Sequence, residues 1–156
     1  MSVLVGRKAP DFTAPAVMPD GSIEEHFRLS DLRGQYVVLF FYPLDFTFVC
    51  PTEILAHSNR LFQFTERNTE VVAVSIDSPY SHYAWRQTPV AQGGIGPIGL
   101  PMVADVKQEI TRAYGVEHPR MASRCAPFLS WIAREWCLIR WSTICPLAGR
   151  WMRCCA

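Results

Sequence analysis

The sequence predicts an α/β fold, a sheet flanked by helices, and three observations predict it. Residues 37–41 are five consecutive apolar or aromatic residues, residues 70–77 are a near-continuous β-branched run, and a segment with helical signals follows each. Runs without polar alternation read as strands buried on both faces, and strands alternating with helices imply helices layered on a sheet.

In chain order, residues 6–12 form an extended opening, and Pro19-Asp20-Gly21-Ser22 is a turn between two short strand candidates. Residues 29–34 read as a helical turn stopped by Gly34, leading into the central strand at Val37. After Tyr42-Pro43 a polar turn delivers Cys50 directly before Pro51-Thr52-Glu53, so a helix begins at or just after the cysteine. Pro51 suits a first turn, where its missing N–H has no partner anyway, and Glu53 suits the positive end of the helix dipole. Ile54, Leu55, Leu61, Phe62 and Phe64 then predict one long amphipathic helix reaching Asn68, with His57 and Arg60 on its polar flank. Another helix runs from Ser78 through Trp85, residues 101–105 are a short strand, and residues 109–114 a helix stopped at Gly115. The glycine-rich residues 93–99 lack the Gly-Lys-Ser/Thr ending of a phosphate loop and read as a connection.

At 156 residues the chain fits one domain, and a formal charge of +1 gives no electrostatic reason to expect nucleic acid or an anionic membrane. No run approaches the roughly 18 apolar residues of a membrane span, and the opening ten residues lack the apolar core of a leader. A cytoplasmic protein is the expectation. Of six cysteines, only Cys50 precedes residue 120; Cys125, Cys137, Cys145, Cys154 and Cys155 crowd the end, unlike a disulfide framework spread through a fold. With no CxxC pattern, and no ligand spacing among His26, His57, His82 and His118, neither a metal nor an organic cofactor is expected.

A lone cysteine is ordinarily a small core residue. At a helix N-terminus, however, unpaired N–H groups and the dipole favour thiolate, lowering the pKa from about 8.5 to between about 3.5 and 7.5. Thr47, three residues earlier, can set a hydroxyl beside the sulfur, and Pro43 can shield it from one side.

The motif Pro43-x-x-x-Thr47-x-x-Cys50 within FYPLDFTFVCPTE resembles the active-site segment of the typical two-cysteine peroxiredoxins, the alkyl hydroperoxide reductase C group. Gly6-x-x-Ala9-Pro10-x-Phe12 resembles the opening of that family. The resemblance implies a thioredoxin-like fold, with a central mixed sheet flanked by helices. It also implies a thiol peroxidase for hydrogen peroxide and organic hydroperoxides, with thioredoxin or a dedicated disulfide reductase as electron donor, and dimers that assemble into rings. Cys50 corresponds to the peroxidatic cysteine, Thr47 and Pro43 to its hydroxyl partner and shield. Glu53 corresponds to a residue that helps hold a nearby arginine, and Trp85 to an aromatic lining the pocket. A thioredoxin-like disulfide oxidoreductase is a weaker reading without CxxC at Cys50. A peroxide sensor or holdase chaperone, or an inactive chain, is the alternative.

The resemblance ends at Glu117-His118-Pro119, which bounds a domain of residues 1–119. Residues 120–156 hold four of the five tryptophans, five of the six cysteines, and six basic residues against the single acid Glu135. No capped helix or strand pattern is legible there. Tryptophan and methionine have one codon each, so a reading frame starting at the third base forces Asp from Trp131-Ile132 and Val from Trp136-Cys137. Permissible codons turn residues 131–137 into Asp-Arg-Glu-Gly-Val-Val, residues 151–156 into Asp-Glu-Met-Leu-Arg, and Arg120-Met121-Ala122 into Asp-Gly, all resembling the family in its proper order. The tail is therefore expected to be out of frame. The family's arginine would fall near Cys125, beside Arg124, and its last strands would be missing, leaving the central strand uncovered. Cys145-Pro146 only superficially resembles the family's resolving segment, so no resolving cysteine is assigned.

Overall fold

The central strand, β3 (Tyr36–Phe41), carries six residues of which five are buried, and its side chains divide between two cores. Val37, Leu39 and Phe41 enter one core, Val38 and Phe40 the other, as the period of two requires. β4 (Thr69–Ser75) lies parallel to β3 and divides likewise, with Val71, Val72, Ala73 and Val74 all at 0% exposure. Both are strands buried on two faces, as their unbroken apolar runs require.

The computed structural model describes residues 7–47, 50–116, 128–133 and 137–143. Besides β3 and β4 the strands are β1 (Thr13–Val17), β2 (Ile23–Arg28), β5 (Met102–Ala104), β6 (Phe128–Ala133) and β7 (Cys137–Thr143). They form one mixed sheet in the order β2-β1-β5-β4-β3-β6-β7. β3, β4 and β5 are mutually parallel through β4, whereas β1 runs antiparallel to β2 and β5, and β6 antiparallel to β3 and β7. Among the described residues no helix is long and apolar enough to cross a membrane.

The helices are α1 (Cys50–Ser58), α2 (Leu61–Thr65), α3 (Pro79–Gln87) and α4 (Glu109–Ala113). Ile54 of α1, Leu61 and Phe64 of α2 and Trp85 of α3 cover one face of the sheet, while Ile110 of α4 joins Tyr114 on the other. Ser78 caps α3, its hydroxyl accepting from Ser81 N–H at 3.2 Å, with Pro79 at the first helical position.

Three expectations need correction. The long helix to Asn68 is two helices, because the chain turns at Asn59-Arg60, where Arg60 N–H bonds back only three residues to His57 O. Gly99 lies across this step. Its N–H donates to Ser58 Oγ at 3.3 Å, and a Cβ there would meet the Leu61 Cδ1 methyl at 2.7 Å, so the crossing chain packs directly on the step between the two helices. His57 leaves the polar flank: its ring stacks on Phe40 with centroids 5.0 Å apart, and Nδ1–H donates to Glu53 O at 2.8 Å. Finally, the tail does supply strands. β6 pairs with β3 from Val37↔Ala133 to Phe41↔Leu129, so β3 is an interior strand with no bare edge. Trp131, Ile132 and their neighbours are of the β-branched and aromatic types that strands favour, a signal masked because Arg134-Glu135-Trp136 between the two strands holds no turn residue.

The glycine-rich segment is a connection, as expected. A Cβ at Gly94 would lie 1.9 Å from Thr88 O, so only glycine fits the return of the chain against α3. Arg86, 4% exposed, ties this return down: its guanidinium donates to Ile98 O at 2.7 Å, Leu100 O at 3.0 Å and Pro19 O at 2.9 Å. Replacing Arg86 by Met removes three charge-assisted donors at once and leaves buried carbonyls unpaired. The expected loss is about 3 kcal/mol of folding stability, read as a lower urea midpoint with unchanged slope. A midpoint equal to that of the unaltered chain would show that these bonds contribute nothing.

Candidate active site

β3 does not end abruptly at Phe41: Tyr42 N–H still donates to Val74 O at 3.0 Å, holding the chain against β4 for one more residue. Pro43 then has no N–H to continue the ladder, and the chain leaves the sheet at the C-terminal end of a parallel strand, where open α/β sheets place their sites. Pro43 and Leu44 are half-buried, Asp45 is buried, and Phe46 takes a left-handed backbone with φ 53°. The Phe46 ring lies 5.9 Å from that of Trp85. Thr47 turns its hydroxyl back to donate to Leu44 O at 3.1 Å.

Helix α1 opens on Cys50, followed by Pro51, with Glu53 in the first turn, so the cysteine stands at a helix N-terminus as its sequence neighbours require. Two contacts anchor α1 to the sheet, Ile54 at 0% exposure in the core and the stack of His57 on Phe40, and Phe64 of α2 packs beside His57 with ring centroids 6.3 Å apart. Burial raises the Glu53 carboxyl above its ordinary range, and among the described residues no cation pairs with it. Trp85 is fully buried, donates Nε1–H to Gly93 O at 3.0 Å, and sets its ring 6.0 Å from Tyr42, forming a wall behind the loop. Pro43, Thr47, Cys50 and Glu53 thus share one loop and helix start, with Trp85 brought to it from α3. Arg124, Cys125, Cys145-Pro146, His118 and the opening motif's Gly6 lie outside the described residues.

A buried polar cluster beside this loop is invisible to sequence pattern. Asp45, with a 1%-exposed side chain, meets His82 Nδ1 at 2.7 Å; Tyr42 Oη–H donates to its Oδ1 at 2.8 Å and Ser81 Oγ–H to its Oδ2 at 2.9 Å. Burial, followed by the nearby Asp45 charge, pushes the Tyr42 phenol well above its ordinary value. Asp77, whose carboxylate accepts the Asp45 N–H, is raised by burial as well. Asp45 and His82 are 37 residues apart, so no local spacing links them; the available signal was an acid set between Leu44 and Phe46. His26 is exposed on β2, and among the described residues no group of three or more His, Cys, Asp or Glu could hold a metal ion.

Residues 5–139 match the model of the AhpC/TSA family. Peroxiredoxin-1 of Gallus gallus is 55% identical over 112 residues, 72% of this chain and 56% of that protein. Peroxiredoxin-2 of Cricetulus griseus is 55% identical over the same length. The chain therefore spans a little over half the length of these curated relatives. Among solved structures, the reduced 2-Cys peroxiredoxin of Plasmodium vivax superposes with a TM-score of 0.83 at 39% identity, covering 92% of this chain and 74% of that one. The AhpC of Enterococcus faecalis gives 0.82 at 32% identity, covering 96% and 86%. The sheet order, the loop that leaves β3 at Pro43 and the cysteine at the start of α1 stand in a chain that belongs to the AhpC/TSA family.

Proposed function

We propose that the chain is a thiol peroxidase that reduces hydrogen peroxide and organic hydroperoxides through Cys50. The observation that carries the reading is the start of α1 at Cys50, behind the loop that leaves the sheet at Pro43. The N–H groups of the first turn and the helix dipole favour the thiolate. The sulfur attacks one peroxide oxygen, the O–O bond breaks, and the departing oxygen takes its electron pair and a proton as water or alcohol, leaving a sulfenic acid. Thr47 donates its proton to Leu44 O, so its oxygen lone pairs are left to accept from the thiol or the peroxide O–H. Pro43 shields the thiolate from water, Trp85 backs the pocket, and Glu53, half-buried beside the cysteine, holds a cation supplied by another part of the protein. The sulfenic acid then needs a thiol reductant, for which thioredoxin or a disulfide reductase is proposed, in the reducing cytoplasm. The thioredoxin donor is supported by a solved relative, the thioredoxin peroxidase I of Plasmodium yoelii, 40% identical over 86% of this chain, and a dimer or a ring of dimers is the proposed assembly.

For the chain's organisation, we infer a catalytic domain of residues 1–119 and an out-of-frame segment from Arg120, supported by the abrupt rise in tryptophan, cysteine and basic residues there.

Mixed with hydrogen peroxide and excess thioredoxin, the chain is expected to consume peroxide over many turnovers. Cys50→Ser should lower the rate by roughly a thousandfold or more. A burst of one equivalent before arrest would instead establish a sensor. Thr47→Val is expected to slow the peroxide step by roughly 10- to 100-fold, while Thr47→Ser stays near the unaltered rate. Equal rates for the two variants would sink the role of the hydroxyl. The intact mass of protein from its native source should exceed that of this 156-residue chain; a mass equal to it would end the frame reading.

A further inference from the structure

An acid at position 45 is expensive, being 7% exposed between two apolar neighbours, and the fold surrounds it with donors. Tyr42 at the end of β3 and Ser81 and His82 of α3 all bond its carboxylate, and its own N–H bonds Asp77, just beyond β4. A carboxylate only accepts, so His82 Nδ1 carries its hydrogen. Nε2 is fully buried and has no hydrogen-bond partner among the described residues. The loop is thereby tied to three elements through one residue.

The neighbour of Asp45 on its C-terminal side gives the tie its consequence. Phe46 is held at φ 53°, a left-handed conformation that costs a bulky residue about 1–2 kcal/mol and persists only where the surroundings over-determine it. The Asp45 bonds fix one side of it, and the ring's packing on Trp85 fixes the other. Thr47 is the next residue and Cys50 the third after that. We propose that Asp45 and His82 are a positioning pair that holds the loop so that Thr47 and Cys50 meet a peroxide in line. This rests on the peroxidase reading. Thiolate formation rests chiefly on the helix start, which Asp45 does not touch, whereas attack on an O–O bond also depends on the geometry of the loop, where a misplacement of about 1 Å costs roughly a hundredfold.

That difference separates a positioning role from general loosening. Single-turnover oxidation by hydrogen peroxide and alkylation by iodoacetamide, both read at the Cys50 peptide by mass spectrometry, are compared in His82→Leu, His82→Asn and Asp45→Asn. His82→Leu removes the donor and is expected to slow peroxide oxidation roughly 10- to 100-fold while alkylation changes less than about threefold. His82→Asn, whose amide N–H takes the place of Nδ1–H, should recover to within about threefold of the unaltered chain. Asp45→Asn, near-isosteric, should show the same split as His82→Leu. Unchanged peroxide oxidation in His82→Leu and Asp45→Asn beside a fast unaltered chain overturns the pair, as does a parallel fall of both reactions. An unaltered chain no faster than free cysteine overturns the peroxidase reading and the pair together.

Discussion

The structure depends on the burial of β3 on both faces and its pairing on both edges, to β4 on one side and β6 on the other. Leu39 and Phe40, adjacent in sequence and both at 0% exposure, anchor opposite cores, each side chain contributing about 1.5–3 kcal/mol by leaving water. A strand so enclosed can be left only at its ends. The C-terminal end, where Pro43 halts the ladder, is therefore the place from which the chain can start a new helix without disturbing either core. That is where Cys50 stands, and the chemistry proposed for it inherits its position from the strand.

Around this frame the molecule confines its buried polar groups to junctions. Arg86 is surrounded by carbonyls of two separate segments, and Asp45 by donors from Tyr42 and α3; each satisfies a costly charge while joining pieces of chain that apolar packing alone would leave free to slide. Asp105 does the same at shorter range, accepting Ile110 N–H at 3.1 Å and Thr111 N–H at 2.7 Å to seat α4 beneath β5. The strained Phe46 lies directly beside one such junction. Its exposed ring, 53% accessible and in contact with Trp85, is held by neighbours on both sides rather than by its own conformational preference.

Local chemistry made much of this legible. Unbroken apolar runs marked β3 and β4, Gly21 and Gly34 with their positive φ marked turns, Ser78-Pro79 marked the start of α3, and Pro51 and Glu53 marked α1. The step between α1 and α2 was hidden because Ser58-Asn59-Arg60 carries neither glycine nor proline, and the chain that packs on it at Gly99 lies some forty residues away. His57 looked polar by type but packs as an aromatic, its polarity absorbed by the carbonyl one turn back. No turn residue separates β6 from β7, and the pairing of β6 with β3 is a non-local event that composition does not record.

By itself, then, the sequence determined which segments are strands in the first two-thirds of the chain and where the cysteine-bearing helix begins. It also set Cys50, Thr47 and Pro43 on one short loop, because periodicity, capping and spacing operate within a few residues. Only the tertiary structure decided the sheet order, the enclosure of β3 and the meeting of Asp45 with His82. These join groups far apart in the chain, and the free energy that joins them, the burial of apolar faces and the hydrogen-bonding of a buried carboxylate, exists only once the chain has closed.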